Sequence, residues 1–202
     1  MIRLMVAEKK HGSVLLGIVN ISGDSFSEGA ASGAESGVER AGRLLTEGAA
    51  MVEFGAESTR PGAADIDLEA ELARLMPVLR AFRSRFPAAK FGVDTRRAGC
   101  ARWALEQGAA YISDVSMGRF DADMGKVMAD FPAAKLVLCH SRGTPANMRE
   151  ERFKDYGADV VGTIKAELTA AAEMFIRAGV RRENLIFDLV QINSDPLKEL
   201  VL

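Results

Sequence analysis

The feature that most constrains this chain is a recurring unit: a short apolar run, closed by a polar residue and followed by a helix-like segment. The runs are VLLGIVN (14–20), MVEFGA (51–56), KFGVDT (90–95), YISDVS (111–116), KLVLCH (135–140) and LIFDLV (185–190). They lack clean polar alternation, as expected of strands covered on both faces in a parallel sheet. Between two of them, LEAELARLMPVLRAF places Leu68, Leu72, Leu75, Met76, Leu79 and Phe82 on one helical face. Pro77 lies inside that pattern and predicts a kink or a restart. Residues 156–178 repeat the design through Val160, Ile164, Leu168 and Phe175. Gly48, Gly108 and Gly179 stand where a helical run gives way to a strand, the place of a left-handed helix cap.

Strand and helix alternating about six times require an α/β fold with right-handed crossovers. Polar residues end nearly every strand: Asn20, Glu57 with Ser58, Asp94, Asp114, His140 and Asp188. An open doubly wound sheet would gather such residues at one switch point, whereas a barrel brings all strand ends to one mouth. No GxGxxG follows a strand, which argues further against a dinucleotide fold. The expected architecture is a TIM (β/α)8-type barrel, incomplete at about six β/α units, since a full barrel takes eight units and about 250 residues.

The 202 residues are 48% hydrophobic and 27% charged, enough for one domain with a real core over residues 1–202. A formal net charge of -2 supplies no general attraction for nucleic acid or an anionic membrane, so neither is expected as a partner. Cys100 and Cys139 have no CxxC spacing and read as small core residues. Charge interrupts the amino end too early for a signal peptide, and no apolar run reaches membrane-spanning length. A soluble cytoplasmic protein is the expectation.

The chemistry-bearing groups sit after the strands. NISGDSFSEGA (20–30) has the polar, glycine-bearing character of a lid or of a solvated connector. In GAESTRPGA (55–63), Arg60 offers five donors in a rigid fork suited to phosphate or carboxylate, with Ser58 and Thr59 adding hydroxyls. The structural alternative is an Arg60–Glu57 ion pair that only locks the loop. Asp94, Asp114 and Asp188 each either cap a following turn or face a pocket. His140 is a pocket candidate or a structural histidine; without HxH or HExxH, zinc is not expected. No GxSxG or cysteine–histidine signature speaks for covalent catalysis.

Taken in order, GIVNISGDSFSEG, GAESTRPGA, VDT, ISDVS, CHSRGTPANM and LIFD make the chain resemble the dihydropteroate synthase family of pterin-binding barrels over about residues 14–188. The resemblance implies a transferase that joins 6-hydroxymethyl-7,8-dihydropterin diphosphate to 4-aminobenzoate in folate biosynthesis, expelling diphosphate with help from Mg²⁺. It implies Asn20 at the metal and diphosphate, and Thr59 with Arg60 contacting diphosphate and ordering the aminobenzoate site. Asp24, Ser25 and Phe26 fall on a mobile first loop that closes over the reactants. Asp94 and Asp188 suit the donor-rich edge of a pterin, and Ser113 stands where the family has a pterin-contacting amide; His140 is a substrate-binding candidate by its strand-end position. Asp94, Arg60 and Asp24 are the implied catalytic group, and a homodimer is the family's common state.

The departures are specific. Gly23 replaces a usual proline, Glu53 a usual aspartate and Cys139 a common methionine. Past Asp188 the chain reads LVQINSDPLKELVL, with no counterpart of the family's later serine–arginine–lysine and arginine–x–histidine motifs. An enzyme lacking its last two barrel units is the reading adopted; a non-catalytic or regulatory pterin-binding homologue is the alternative.

Overall fold

The computed structural model describes residues 2–5, 14–21 and 30–189. Its centre is a seven-stranded sheet whose spatial order is the chain order, β1 to β7. These are β1 (Ile2–Met5), β2 (Val14–Asn20), β3 (Met51–Gly55), β4 (Lys90–Asp94), β5 (Tyr111–Asp114), β6 (Lys135–Cys139) and β7 (Leu185–Asp188). The expected six strands are β2 to β7, all parallel; β1, which the sequence did not announce, pairs antiparallel with β2. The crossovers are α1 (Ala30–Thr46), α2 (Leu68–Arg85), α3 (Ala98–Glu106), α4 (Met124–Asp130), the single turn α5 (Glu151–Lys154) and α6 (Val160–Arg177). The six parallel strands curl into part of a barrel with helices outside, as expected of an incomplete (β/α)8 fold.

Period two along each strand sorts side chains between two cores. Val19, Val52, Phe54, Phe91, Val93, Ile112, Leu136 and Leu138 face the helices and build the larger core with Leu75, Leu79, Phe82 and Phe175. Phe54 meets Phe82 edge to face at 5.0 Å between ring centroids, binding β3 to α2. Leu16, Tyr111, Val137 and Cys139 form a smaller cluster on the opposite, interior face, with Met51 and Ile186 against it. Both cysteines are buried and neither forms a disulfide, as their apolar settings suggested.

Helix α2 runs through Pro77 as one helix, so of the kink or restart that the proline predicts, the restart does not occur. Asp67 caps its start by accepting from the Ala70 amide at 2.8 Å. Gly48, Gly108 and Gly179 do adopt the left-handed conformation, with φ of 104°, 91° and 100°. No helix among the described residues is long and apolar enough to cross a membrane.

Candidate functional site

Strand parity decides which strand-end residues share the mouth of the partial barrel. Asn20 is in register with Gly55, Gly55 with Asp94, Asp94 with Ser113, and Cys139 with Asp188. These positions carry the same parity as the interior cluster, so Asn20, Asp94, Ser113 and Asp188 converge there. Gly55 makes room between two of them. A Cβ on it would lie 3.5 Å from Asp94 Cβ and 3.7 Å from both Asn20 Oδ1 and Asp94 Oδ2. Ser113 Oγ lies 3.2 Å from Cys139 Sγ, a hydroxyl–thiol contact that joins β5 to β6 at the same level. Below this ring Tyr111 lies across Gly92, and Glu53 is buried on the same face. Burial, and next the Glu53 carboxylate, push the Tyr111 phenol well above its ordinary value.

Asp114 and His140 have the opposite parity, and the structure places their side chains on the helix side. Asp114 is fully buried and accepts from the Ser116 amide at 2.7 Å, the Ser116 hydroxyl at 2.7 Å and the Gly118 amide at 2.8 Å. It therefore shapes the β5–α4 turn. Burial raises its pKa, with the Ser116 bonds opposing. His140 is fully buried; its Nε2 lies 2.6 Å from Glu167 on α6, and its ring packs 5.8 Å from Tyr156. Arg142 grips the same Glu167 and stacks over Tyr156 at 3.9 Å. Desolvation lowers the His140 pKa although Glu167 opposes it. The candidate substrate role of His140 therefore finds its side chain turned to α6, away from the interior-facing strand ends.

The β3–α2 loop is anchored from behind. Glu57 accepts from Arg96 Nε at 2.9 Å and Nη2 at 3.0 Å, and from Arg97 Nη1 at 2.8 Å and Nη2 at 3.1 Å. Burial would raise this carboxylate, but Arg97 and Arg96 bring it down to about 2. Arg96 also pairs with Asp65, and Arg97 donates to the Ile66 carbonyl. Phe120 covers the Arg96 guanidinium at 4.0 Å. The alternative Arg60–Glu57 pair does not form. Gly62, at φ 81°, donates its amide to the Pro145 carbonyl at 2.8 Å, so the β3–α2 and β6–α5 loops are pinned together. Held this way, the loop exposes Ser58 and Arg60 and leaves Thr59 half-buried. Arg60 has no ion pair among the described residues. Asp24, Ser25 and Phe26 lie outside the described residues.

Sequence reading missed Arg96, Arg97 and Glu71. The available signal was the doubled arginine in VDTRR and an acid at a core position of α2. Glu71 is fully buried, 3.5 Å from Arg97 Nη1, and burial raises its pKa.

Among the described residues no group of three or more His, Cys, Asp and Glu could hold a metal ion. Asn20 does present a hard oxygen at the mouth, near the Asp94 carboxylate. One or two such protein oxygens suit Mg²⁺ when substrate phosphates supply the rest.

A partial parallel barrel whose strand ends gather an amide, two carboxylates and a hydroxyl beside a rigidly backed arginine loop offers the converging polar groups of a small-molecule site of the (β/α) class. Residues 16–196 match the family described as pterin binding enzyme, and the chain belongs to that family. The dihydropteroate synthase of Synechocystis is 33% identical over 175 residues, 86% of this chain and 59% of that protein. The solved Xanthomonas albilineans dihydropteroate synthase with 4-aminobenzoic acid superposes with a TM-score of 0.78 at 30% identity, covering 92% of this chain and 64% of that one. The Burkholderia cenocepacia dihydropteroate synthase complexed with 7,8-dihydropteroate gives 0.70 at 30% identity, covering 86% and 57%. The chain thus spans about three fifths of the length of these relatives.

Proposed function

We propose that this chain carries the pterin-binding half of a dihydropteroate synthase site, acting on 6-hydroxymethyl-7,8-dihydropterin diphosphate and 4-aminobenzoate. The observation that carries the reading is the parity-matched set of Asn20, Asp94, Ser113 and Asp188 around the open space at Gly55. A pterin presents ring N–H and amino donors along one edge, and Asp94 and Asp188 are acceptors of the matching kind. In the reaction the methylene–oxygen bond to diphosphate breaks and a carbon–nitrogen bond to the arylamine forms, with the amine proton released. Diphosphate carries the departing electrons. Arg60 and Thr59, on a loop whose backbone is fixed by Glu57 and by the Gly62–Pro145 bond, would receive anionic groups of the reactants. Asn20 would hold Mg²⁺, which when bound neutralises diphosphate charge. Asp24 would share the catalytic role with Asp94 and Arg60, and Ser25 and Phe26 would contact the substrates. The reading includes a cytoplasmic location and a homodimer, the latter checked by sedimentation.

Calorimetry of the 202-residue chain with 6-hydroxymethylpterin tests the proposal. Saturable binding, weakened at least about tenfold by Asp94→Asn, is the expected result. Absence of binding to a folded chain would overturn it. A dihydropteroate assay on the same sample separates an enzyme from a pterin-binding homologue that does not turn over.

A further inference from the structure

A second cavity, of about 130 Å³, lies between the β3–α2, β5–α4 and β6–α5 loops. It has roughly the liquid volume of four water molecules. Three arginines line it: Arg96, Arg119 and Arg142. Two are already neutralised. Arg96 is committed to Glu57 and Asp65. Arg142 gives Nε and Nη2 to Glu167 and Nη1 to the Asp155 carbonyl.

Arg119 differs. Its Nη2 donates to the Ser141 carbonyl at 2.7 Å and to the Ser141 hydroxyl at 3.1 Å. Those bonds orient the guanidinium through one nitrogen of a five-donor fork. Among the described residues it forms no ion pair. The acids that could serve are occupied: Asp114 by Ser116 and Gly118, Glu167 by His140 and Arg142. Desolvation holds its pKa below the ordinary arginine value, and Arg142 adds to that effect while Glu167 and Asp114 oppose it. Arg119 is an exposed side chain held by neutral partners at the rim of this recess, and its remaining donors have no counter-charge. Around it, Val115, Phe120, Pro145 and Met148 give the cavity apolar walls, and Thr59 adds a hydroxyl.

We propose that this cavity is an oxyanion subsite in which the unused Arg119 donors bind a small phosphate or carboxylate, with room beside them for a compact apolar substituent. The subsite stands on the Arg119 geometry alone and does not depend on the pterin reading. Carboxylate and phosphate share the recognition chemistry; the apolar walls determine which carrier binds more tightly.

Titrations of the 202-residue chain with inorganic phosphate, phenyl phosphate and benzoate, read by calorimetry and by the change in Tm, test it. Saturable binding of at least one of the three anions is expected, weakened about tenfold or more by Arg119→Gln, the worth of one charged hydrogen bond. Arg119→Lys keeps the charge but not the fork and is expected to fall between the two. These titrations are made in an Arg60→Ala background, which removes the mouth-loop arginine assigned above to reactant anions, so that binding at Arg119 is what is read. Tighter binding of phenyl phosphate or benzoate than of inorganic phosphate identifies an organic anion as the occupant, and the reverse order identifies free phosphate. Saturable binding that survives Arg119→Gln in a folded variant of that background overturns the assignment. So does failure of all three anions to bind the Arg60→Ala chain.

Discussion

The Glu57 carboxylate and the Arg97 guanidinium meet side by side, with Oε2 2.8 Å from Nη1 and Oε1 3.1 Å from Nη2. The contact joins residues forty positions apart and is doubled by Arg96 on the same carboxylate. Its effect is to fix the start of the β3–α2 loop against the start of α3, so that Thr59 and Arg60 project from a rigid base. Charges this well buried strengthen a fold only when every partner is present, because removing one leaves the others uncompensated.

Glu57→Gln is therefore expected to cost roughly 3 kcal/mol in urea unfolding near neutral pH. The pH dependence has a definite sign. The Glu57 carboxyl is held at about 2 when folded against an ordinary 4.5, so its contribution is complete above pH 4.5 and is lost as pH falls toward 2. The gap between wild type and variant should narrow over that window. A gap that stays constant through it would show that ionised Glu57 is not what holds the loop.

Glu71 should behave in the opposite sense. Burial raises its pKa, so the wild-type chain is penalised as pH rises above 4.5, the value it would have unfolded. Glu71→Gln removes the titration. Chemical denaturation over a pH series is expected to show the variant gaining on wild type as pH increases, and a flat difference would contradict the burial argument.

Gly92 is required by its neighbour. A Cβ there would sit 2.2 Å from the Tyr111 ring on the adjacent strand. Gly92→Ala is expected to destabilise the chain by about 1–3 kcal/mol through overpacking. Combining it with Tyr111→Ala should give a double-mutant coupling of about 1 kcal/mol or more, whereas additive effects would mean that the two positions do not compete for space.

Gly55 tests the site apart from the fold. Added atoms there meet Asn20 and Asp94 only at ordinary contact distances, 3.5 Å or more. Gly55→Ala should keep stability or raise it by up to about 1 kcal/mol, because alanine loses less backbone freedom in a strand. Affinity for 6-hydroxymethylpterin should nevertheless fall about tenfold or more as the methyl group occupies the open space. Unchanged affinity would move the pterin elsewhere.

The strands were legible because uninterrupted apolar runs such as KLVLCH survive only where both faces are covered. The helix of Leu75, Leu79 and Phe82 was legible by its spacing. Asp114 and His140 were harder to place. Standing at a strand end does not say which face a side chain takes, and a shift of one residue sends it to the other side of the sheet. Asp94 and Ser113 fall on the interior side, while Asp114, one position further, falls on the helix side. Arg96 and Arg97 were hidden for another reason: their partners, Glu57 and Asp65, lie on a loop distant in sequence, and no local pattern marks such a pairing. Strand β1 left no comparable signal, since its IRLM stretch is short and joins the sheet only by pairing with β2.

The strand order of the sheet also says something about how the chain assembles. Each strand is bonded to its nearest neighbours in sequence, so the sheet can grow by adding one unit at a time to an existing edge, with short loop closures throughout. The amide bond from Gly62 to Pro145 spans the product of several such additions and can form only after β6 has docked. During synthesis the β3–α2 loop would thus acquire its final shape only once β6 is in place, several units later in the chain.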